Sequence, residues 1–167
     1  SALTYFHSRS LDKIDTVLNQ NGIRVFKNTG ELTTAGWELE ALLTVVQGLS
    51  LRATYTYLAK TEEQPRRFPK QTISTIINYQ TGPWNFNLSA YYHDEMVQQL
   101  RQGFQTLNDY WVLNGAVRYN LFQGLTVVGR VHNFLDEEFY SSSKQIDYVE
   151  GIPNRGRVYS LGVEIKF

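Results

Sequence analysis

The end of this chain alternates between apolar and polar residues with a period of two. The apolar set is Tyr159, Leu161, Val163, Ile165 and Phe167, and the residues between them are Ser160, Gly162, Glu164 and Lys166. A period of two places the two sets on opposite faces of a β-strand. A strand that ends in an aromatic residue is unusual for a soluble domain, whose termini are commonly polar and frayed. The pattern is typical of a barrel strand in a membrane, with lipid against one face and water against the other.

Six further segments alternate in the same way and predict six further strands. They are 37–45, 49–57, 73–79, 84–92, 111–119 and 125–131. A less regular segment, about Leu3 to Asp15, predicts the first strand of the chain. The total is roughly eight strands, and each is near the length of about 9–11 residues that a tilted membrane strand needs.

Short and long connections between the predicted strands alternate along the chain. Turn residues make short connections at 47–48, 81–83 and 122–124, and longer polar connections are predicted near 19–22, 60–69, 98–106 and 136–156. A short turn joins two neighbouring strands as a hairpin. The rhythm therefore predicts an all-β, antiparallel, up-and-down transmembrane barrel, with tight turns at one end and long loops at the other.

Composition narrows the classes of function. Acidic residues and Lys plus Arg number 16 each, so charge gives no argument for a nucleic-acid partner. The absence of cysteine excludes a disulfide scaffold and a cysteine-ligated metal. No run of about 18 apolar residues predicts a membrane helix. The chain is rich in aromatic residues, which suits a soluble β-sandwich core as well as a membrane interface. Tyr79, Trp84 and Tyr119 lie beside short turns, as in an interfacial girdle, and the loop rhythm favours the membrane barrel.

No residue pattern predicts catalysis or a protein-bound metal. His7, His93 and His132 fall on different predicted strands, so spacing does not bring them together. The sequence has no glycine-rich phosphate loop, dinucleotide fingerprint or zinc-protease motif. Residues 1–6 do not resemble a signal peptide. An exported chain with this beginning is expected to have lost its leader or to start inside a longer protein.

Three segments together resemble the TonB-dependent outer-membrane receptors. Asn133 to Tyr140 is similar to the family's Asn-Leu-Phe-Asp-x-x-Tyr-Tyr signature, with Phe134 and Leu135 in inverted order. Pro153 to Tyr159 resembles the Pro-Gly-Arg-x-Tyr segment before the last strand. Thr34 to Glu40 resembles a Gly-Val-Glu-x-Glu strand opening, with Trp in place of Val. Both departures keep an apolar residue at the changed position.

The resemblance implies a barrel of about 22 strands closed by a plug domain. Residues 1–167 would then be the C-terminal part of that barrel, about its final third, without the plug or the TonB box. The implied function is import of a ferric siderophore across the bacterial outer membrane, driven through TonB. Implied partners are outer-membrane lipid, the siderophore, TonB through the plug, and the barrel-assembly machinery through the last strand. The protein would be a transporter and not an enzyme, and it would need no cofactor because iron arrives already chelated.

Candidate ligand contacts follow from strand parity and loop position. They are Tyr91, His93, Glu95, Arg101, Phe104, Arg130, His132, Tyr140 and Tyr148. Aromatic and cationic side chains suit an anionic, partly aromatic iron chelate, through stacking and cation–π contact. Residues expected to serve strand ends and turns, as part of the family motifs, are Gly36, Glu38, Asn133, Asp136, Tyr140, Arg155, Gly156, Tyr159 and Phe167.

Two alternatives stay open at this point. A complete small eight-stranded outer-membrane barrel, structural or enzymatic, would pair its own first and last strands. A soluble barrel that binds lipophiles would carry apolar residues in its interior, whereas the faces opposite the aromatic residues here carry Arg, Asn, Glu and Thr.

Overall fold

A computed structural model describes residues 1–12, 14–18, 23–28, 30–61, 68–100, 103–142 and 151–166. These residues form fourteen strands and no helix, so none of them supplies a helix that could cross a membrane. The strands are β1 (Ala2–Ser10), β2 (Ile14–Leu18), β3 (Arg24–Asn28), β4 (Leu32–Val46), β5 (Leu49–Thr61), β6 (Gln71–Thr81), β7 (Trp84–His93), β8 (Met96–Gln99), β9 (Phe104–Leu107), β10 (Tyr110–Phe122), β11 (Leu125–His132), β12 (Tyr140–Ser141), β13 (Ile152–Pro153) and β14 (Val158–Ile165).

Eight of the strands form one antiparallel sheet. Its order is β1-β4-β5-β6-β7-β10-β11-β14, so each strand pairs with the next long strand along the chain. This confirms the predicted all-β, up-and-down arrangement of about eight strands. In the described part of the chain β1 and β14 are the two edges and do not pair with each other. The sheet is therefore an incomplete part of a barrel, and the closed eight-stranded alternative does not form.

All three short connections lie at one end of the sheet, which we call the short-turn end. They are two-residue turns at Gln47-Gly48, Gly82-Pro83 and Gln123-Gly124, and each contains a glycine with positive φ. Two-residue hairpin turns need positive φ, which glycine adopts without strain. The predicted turns are confirmed, and two of them are one residue shorter than expected because the strands extend to Thr81 and Phe122.

The opposite end, the loop end, holds more regular structure than the sequence indicated. Three short hairpins form there, β2–β3, β8–β9 and β12–β13. The predicted first strand ends too late: β1 stops at Ser10, Asp12 adopts a positive φ of 56°, and Ile14 pairs with Asn28 instead. The predicted connection 98–106 contains β-structure at both ends. The predicted loop 19–22, and parts of the loops 60–69 and 136–156, lie outside the described residues.

The strand register confirms the predicted division into an apolar face and a polar face. Residues that pair directly across an antiparallel sheet share one face. One such row crosses five strands on the apolar face and consists of Ile77, Leu88, Gly115, Val131 and Tyr159. Neighbouring rows alternate between the two faces, with irregularities in the β4–β5 and β10–β11 pairings. Most aromatic and aliphatic side chains of the sheet lie on the apolar face, whereas a few, such as Ile76 and Val128, share the polar face with Arg52 and Arg118.

Aromatic side chains border the apolar face at both ends. Near the short turns the rings of Trp84 and Tyr119 lie 4.3 Å apart, as the predicted girdle requires. A second group at the loop end includes Tyr92 and Trp111, whose ring centroids are 5.0 Å apart. Eight residues separate Trp111 from Tyr119 on β10, which is about 26 Å along a strand. At a tilt of about 40° this corresponds to about 20 Å of depth, close to the apolar band of a membrane barrel.

Candidate functional site

The polar face carries an ion-pair cluster in its half nearer the short turns. Glu164 on β14 contacts both Arg118 on β10 and Arg130 on β11, the latter at 3.7 Å. Two guanidinium groups thus share one carboxylate, which leaves an excess of one positive charge. All three side chains are more than a third exposed, so each pair contributes at most about 1 kcal/mol of stability. The arrangement can attract an anion to this part of the face.

A slot of about 400 Å³, lined by both polar and apolar residues, lies beside this cluster toward the loop end, and we call it the polar slot after its hydrogen-bond donors. Its polar lining comes from Asn87, Asn114, Arg130, His132 and Ser160, on four adjacent strands. These groups offer amide, guanidinium, imidazole and hydroxyl donors to one concave surface. Arg130 and His132, two of the predicted ligand contacts, therefore lie in one site.

The predicted contacts on β7 occupy a different environment, at the loop end of the polar face. The His93 ring stacks on Tyr110 with centroids 5.1 Å apart, and Tyr110 stacks on Phe139 at 4.4 Å. Tyr110 belongs to a small buried cluster with Met96, Leu107 and Val112. This loop-end cluster ties β8, β9 and the segment before β12 to the sheet.

The structure separates the predicted ligand contacts into two groups. His93 pairs with Tyr110 and Asn87 pairs with Ala116, the residue opposite Arg130, so six residues of β7 separate the His93 row from the Arg130 row. That is about 20 Å along the strand. The remaining predicted contacts are placed as follows: Tyr91 on the polar face of β7, Glu95 exposed between β7 and β8, Phe104 exposed on β9, and Tyr140 half-buried against the loop-end cluster. Arg101 and Tyr148 lie outside the described residues.

Asn133 closes the loop that follows β11. Its side chain is fully buried, and its backbone adopts a positive φ of 50°. The amide nitrogen Nδ2 donates to the carbonyl oxygens of Glu137 at 2.9 Å and Arg155 at 3.3 Å. The amide oxygen Oδ1 accepts from the Glu137 backbone N–H at 3.0 Å. One side chain thus joins the two arms of the loop through hydrogen bonds to local backbone groups.

Asp136 holds the second arm of the loop where β14 begins. Its Oδ1 accepts from the Arg157 backbone N–H at 2.7 Å, and its Oδ2 faces the Arg157 guanidinium at 3.3 Å. A Cβ on Gly156 would lie 3.1 Å from Asp136 Oδ1, so glycine allows a close approach of the backbone to this carboxylate. The sequence analysis assigned no role to Arg157, although its place between Gly156 and the last strand was a usable signal.

The third family segment also follows strand geometry. Gly36 lies at an irregularity in the β4–β5 pairing, where a Cβ would clash with the Tyr57 carbonyl oxygen and the Phe6 ring. Glu38 follows on the polar face, opposite Thr56. Tyr159 lies on the apolar face and is 70 % exposed, whereas Phe167 lies outside the described residues.

One partner of Asn133 could not be found from the sequence. The Asn133 backbone N–H donates to Asn114 Oδ1 at 3.0 Å, across 19 residues of chain. Asn114 looked like an ordinary polar-face residue, and only the pairing of β10 with β11 brings it to this position.

The three histidines lie on β1, β7 and β11, and no cluster of metal-ligating side chains occurs among the residues that the structure describes.

Comparison with known structures gives the same architecture. The ferric enterobactin receptor PfeA of Pseudomonas aeruginosa matches with a TM-score of 0.78 at 16% identity, over 99% of this chain and 28% of the receptor. The siderophore receptor PirA of Acinetobacter baumannii matches with a TM-score of 0.78 at 19% identity, over 99% of this chain and 29% of the receptor. The ferric-catecholate import receptor Fiu of E. coli K12 matches with a TM-score of 0.73 at 17% identity, over 99% of this chain and 25% of the receptor.

This chain therefore spans less than a third of the length of the solved receptors that it matches. No curated protein sequence matches it. The sequence profile described as "TonB dependent receptor-like, beta-barrel" matches residues 1–134, which is most of the chain. The family's proteins are outer-membrane transport receptors. The alternating strands, the open eight-stranded sheet and this match lead to one conclusion: the chain belongs to the TonB-dependent receptors and forms part of their β-barrel.

Proposed function

We propose that this chain is the C-terminal part of the barrel wall of a receptor that imports a ferric siderophore across the bacterial outer membrane. Energy would come from TonB through a plug domain, and the barrel-assembly machinery would read the last strand. The protein acts as a transporter and not as an enzyme. Iron is its cargo, held by the siderophore, so no residue of the chain needs to ligate the metal.

The observation that carries this proposal is the polar slot beside the shared Glu164 carboxylate. Arg118 and Arg130 give this surface an excess positive charge, and His132 and the asparagines add neutral donors. An anionic chelate gains charge-assisted hydrogen bonds from such a surface. Aromatic side chains at the loop end, including Tyr91 and the exposed Phe104, offer stacking partners on the path toward the slot. The three matched receptors are named for ferric enterobactin, a siderophore and ferric catecholate, which agrees with this chemistry.

The test uses the full-length receptor and radiolabelled ferric enterobactin, an anionic catecholate chelate, with a ferric hydroxamate as the second probe. Arg130→Ala should weaken binding about tenfold, because one charge-assisted contact contributes about 1.5 kcal/mol. His93→Ala should weaken binding less, since His93 stacks inside the loop-end cluster. Arg130→Lys should restore part of the affinity.

Arg52→Ala is the matched control on the same face, because Arg52 pairs with Glu40 on β4, outside the slot. It should leave binding unchanged. Unchanged affinity for both Arg130→Ala and His93→Ala would contradict the proposed contacts. A folded receptor that takes up neither a catecholate nor a hydroxamate chelate would contradict the proposed cargo.

A further inference from the structure

Two glycines lie close together on the apolar face, where the other positions carry larger side chains. Gly115 on β10 pairs with Val131, and Gly129 on β11 pairs with Val117, so the two glycines are diagonal neighbours on adjacent strands. Diagonal neighbours lie about 7–8 Å apart. With no side chain at either position, the apolar face has a depression there.

The depression is a groove of about 390 Å³. Its apolar walls are formed by Ile77, Phe86, Leu88, Val117, Val131 and Tyr159. The Phe86 ring stacks with Tyr79 at 6.4 Å and thereby forms the wall nearer the short turns. The groove thus has a glycine floor, aliphatic sides and an aromatic border, and it opens on the outer side of the sheet.

Nothing in the fold of the described residues requires glycine at position 129. Its φ is not in the left-handed region, and a Cβ built there meets nothing within 4 Å. A strand glycine is nevertheless unfavourable, by about 0.5–1 kcal/mol relative to alanine. Glycine inside a strand often marks a place where a ligand or another chain approaches closely. Gly129 has the open space that such an approach needs, whereas a Cβ on Gly115 would press on Val131 at 3.3 Å.

We propose that this groove holds one acyl chain of a phospholipid from the periplasmic leaflet of the outer membrane. This inference rests on the membrane location in the proposed function, but not on the cargo. The groove is continuous with the apolar band, and Gly115 lies four residues from both Trp111 and Tyr119, midway between the aromatic borders. Gly129 lies lower, only two residues from Val127, which pairs with Tyr119. The short turns of such barrels face the periplasm, so the groove opens toward the lipid of that leaflet.

An acyl chain gains more contact in this groove than on the remaining apolar band. On a ridge of side chains it touches protein along one line, whereas in the groove it touches the floor and both walls. Dispersion and apolar contact grow with the number of close atoms. The lipid whose acyl chain lies in the groove should therefore exchange more slowly than the other lipids around the barrel. The occupant is apolar along its length, which fits a lining without charged groups except the edge of Arg130.

The experiment counts phosphatidylethanolamine molecules that remain on the full-length receptor after transfer from membrane to detergent, by native mass spectrometry. Gly129→Leu fills the groove from the position with free space, and should lower the retained lipid about tenfold relative to the unaltered receptor. Gly129→Ala should give an intermediate value. Ala53→Leu adds similar apolar bulk on the same face of β5, outside the groove, and should retain lipid as the unaltered receptor does.

Heat-modifiable mobility on gels verifies that each variant is folded, and ferric enterobactin uptake is measured in parallel. Uptake by Gly129→Leu should be unchanged. The lipid count therefore tests the groove, and the uptake assay tests the proposed cargo independently of it. Equal lipid retention by Gly129→Leu and the unaltered receptor would overturn the inference. Retention of lipopolysaccharide instead of phospholipid, or a dimeric unaltered receptor that becomes monomeric in Gly129→Leu, would overturn it as well.

Discussion

The short-turn end and the loop end of this sheet are held together by different kinds of contact. At the short-turn end each connection is two residues long, and glycines with positive φ determine its geometry. At the loop end the chain is held by contacts between residues far apart in sequence, such as those of Asn133 and the loop-end cluster. The first end depends on local backbone chemistry, and the second depends on the completed sheet.

The largest expected effect is a substitution at the short-turn end. Gly48 has a φ of 82°, and a Cβ there would lie 2.2 Å from the Gln80 carbonyl oxygen. Gly48→Ala combines left-handed backbone strain with a backbone clash, and should lower the free energy of unfolding by about 3 kcal/mol. Denaturant unfolding of the full receptor in detergent measures this loss.

Gly82→Ala is the matched control for that measurement. Gly82 has a φ of 52° and open space around the built Cβ, so only the backbone strain of about 1 kcal/mol remains. Equal effects of the two substitutions would show that close packing against Gln80 does not stabilise this end.

The second prediction concerns the loop end. Asn133→Ala leaves the Glu137 N–H and two carbonyl groups without their partner in a buried site, and should cost about 2–3 kcal/mol. Amide hydrogen exchange in residues 134–142 should accelerate, while exchange beside the short turns should not. Glu138→Ala, in the same loop but exposed, should change stability by less than about 0.5 kcal/mol. Faster exchange at both ends of the sheet would contradict the separation between them.

The smallest effect is expected from the ion pairs on the polar face. Glu164→Gln removes the carboxylate that Arg118 and Arg130 share, and should lower the free energy of unfolding by about 0.5 kcal/mol, because these groups are exposed. The loss should shrink in high salt, since salt screens exposed charges. Glu138→Gln, on an exposed loop residue, is the control. A loss above about 2 kcal/mol would mean that the cluster is buried by another part of the receptor.

Sequence patterns were sufficient to predict the strand faces and the short turns, because both depend on residues that are close together in the sequence. Alternation identified the apolar face of seven of the eight sheet strands, all but the less regular β1, and turn residues such as Gly48 and Gly124 marked the short-turn end. The extent of β1 was wrong because Ile14 pairs with Asn28, and a period of two does not reveal which partner a strand chooses.

The candidate site could be predicted only in part for the same reason. Alternation along the strand placed Arg130 and His132 on the polar face. It could not predict that they lie beside the Glu164 carboxylate and Asn114. Position in a loop suggested that Tyr140 was free to contact a ligand, whereas it packs against the loop-end cluster. These neighbours come from strand register and loop packing, which no short stretch of sequence encodes.

The measurement that tests the account most directly is the environment of neighbouring residues on β7 in the receptor reconstituted into liposomes. Leu88 lies on the apolar face and Asn87 on the polar face, and this chain itself contributes no native cysteine. Spin labels at Leu88→Cys and Asn87→Cys should differ sharply: oxygen, which concentrates in lipid, should relax the label at position 88 more strongly, and a water-soluble nickel chelate should not reach it. The label at position 87 should show much lower oxygen accessibility. Relaxation of the label at position 88 by the nickel chelate, or equal oxygen accessibility at both positions, would contradict a membrane-facing apolar surface.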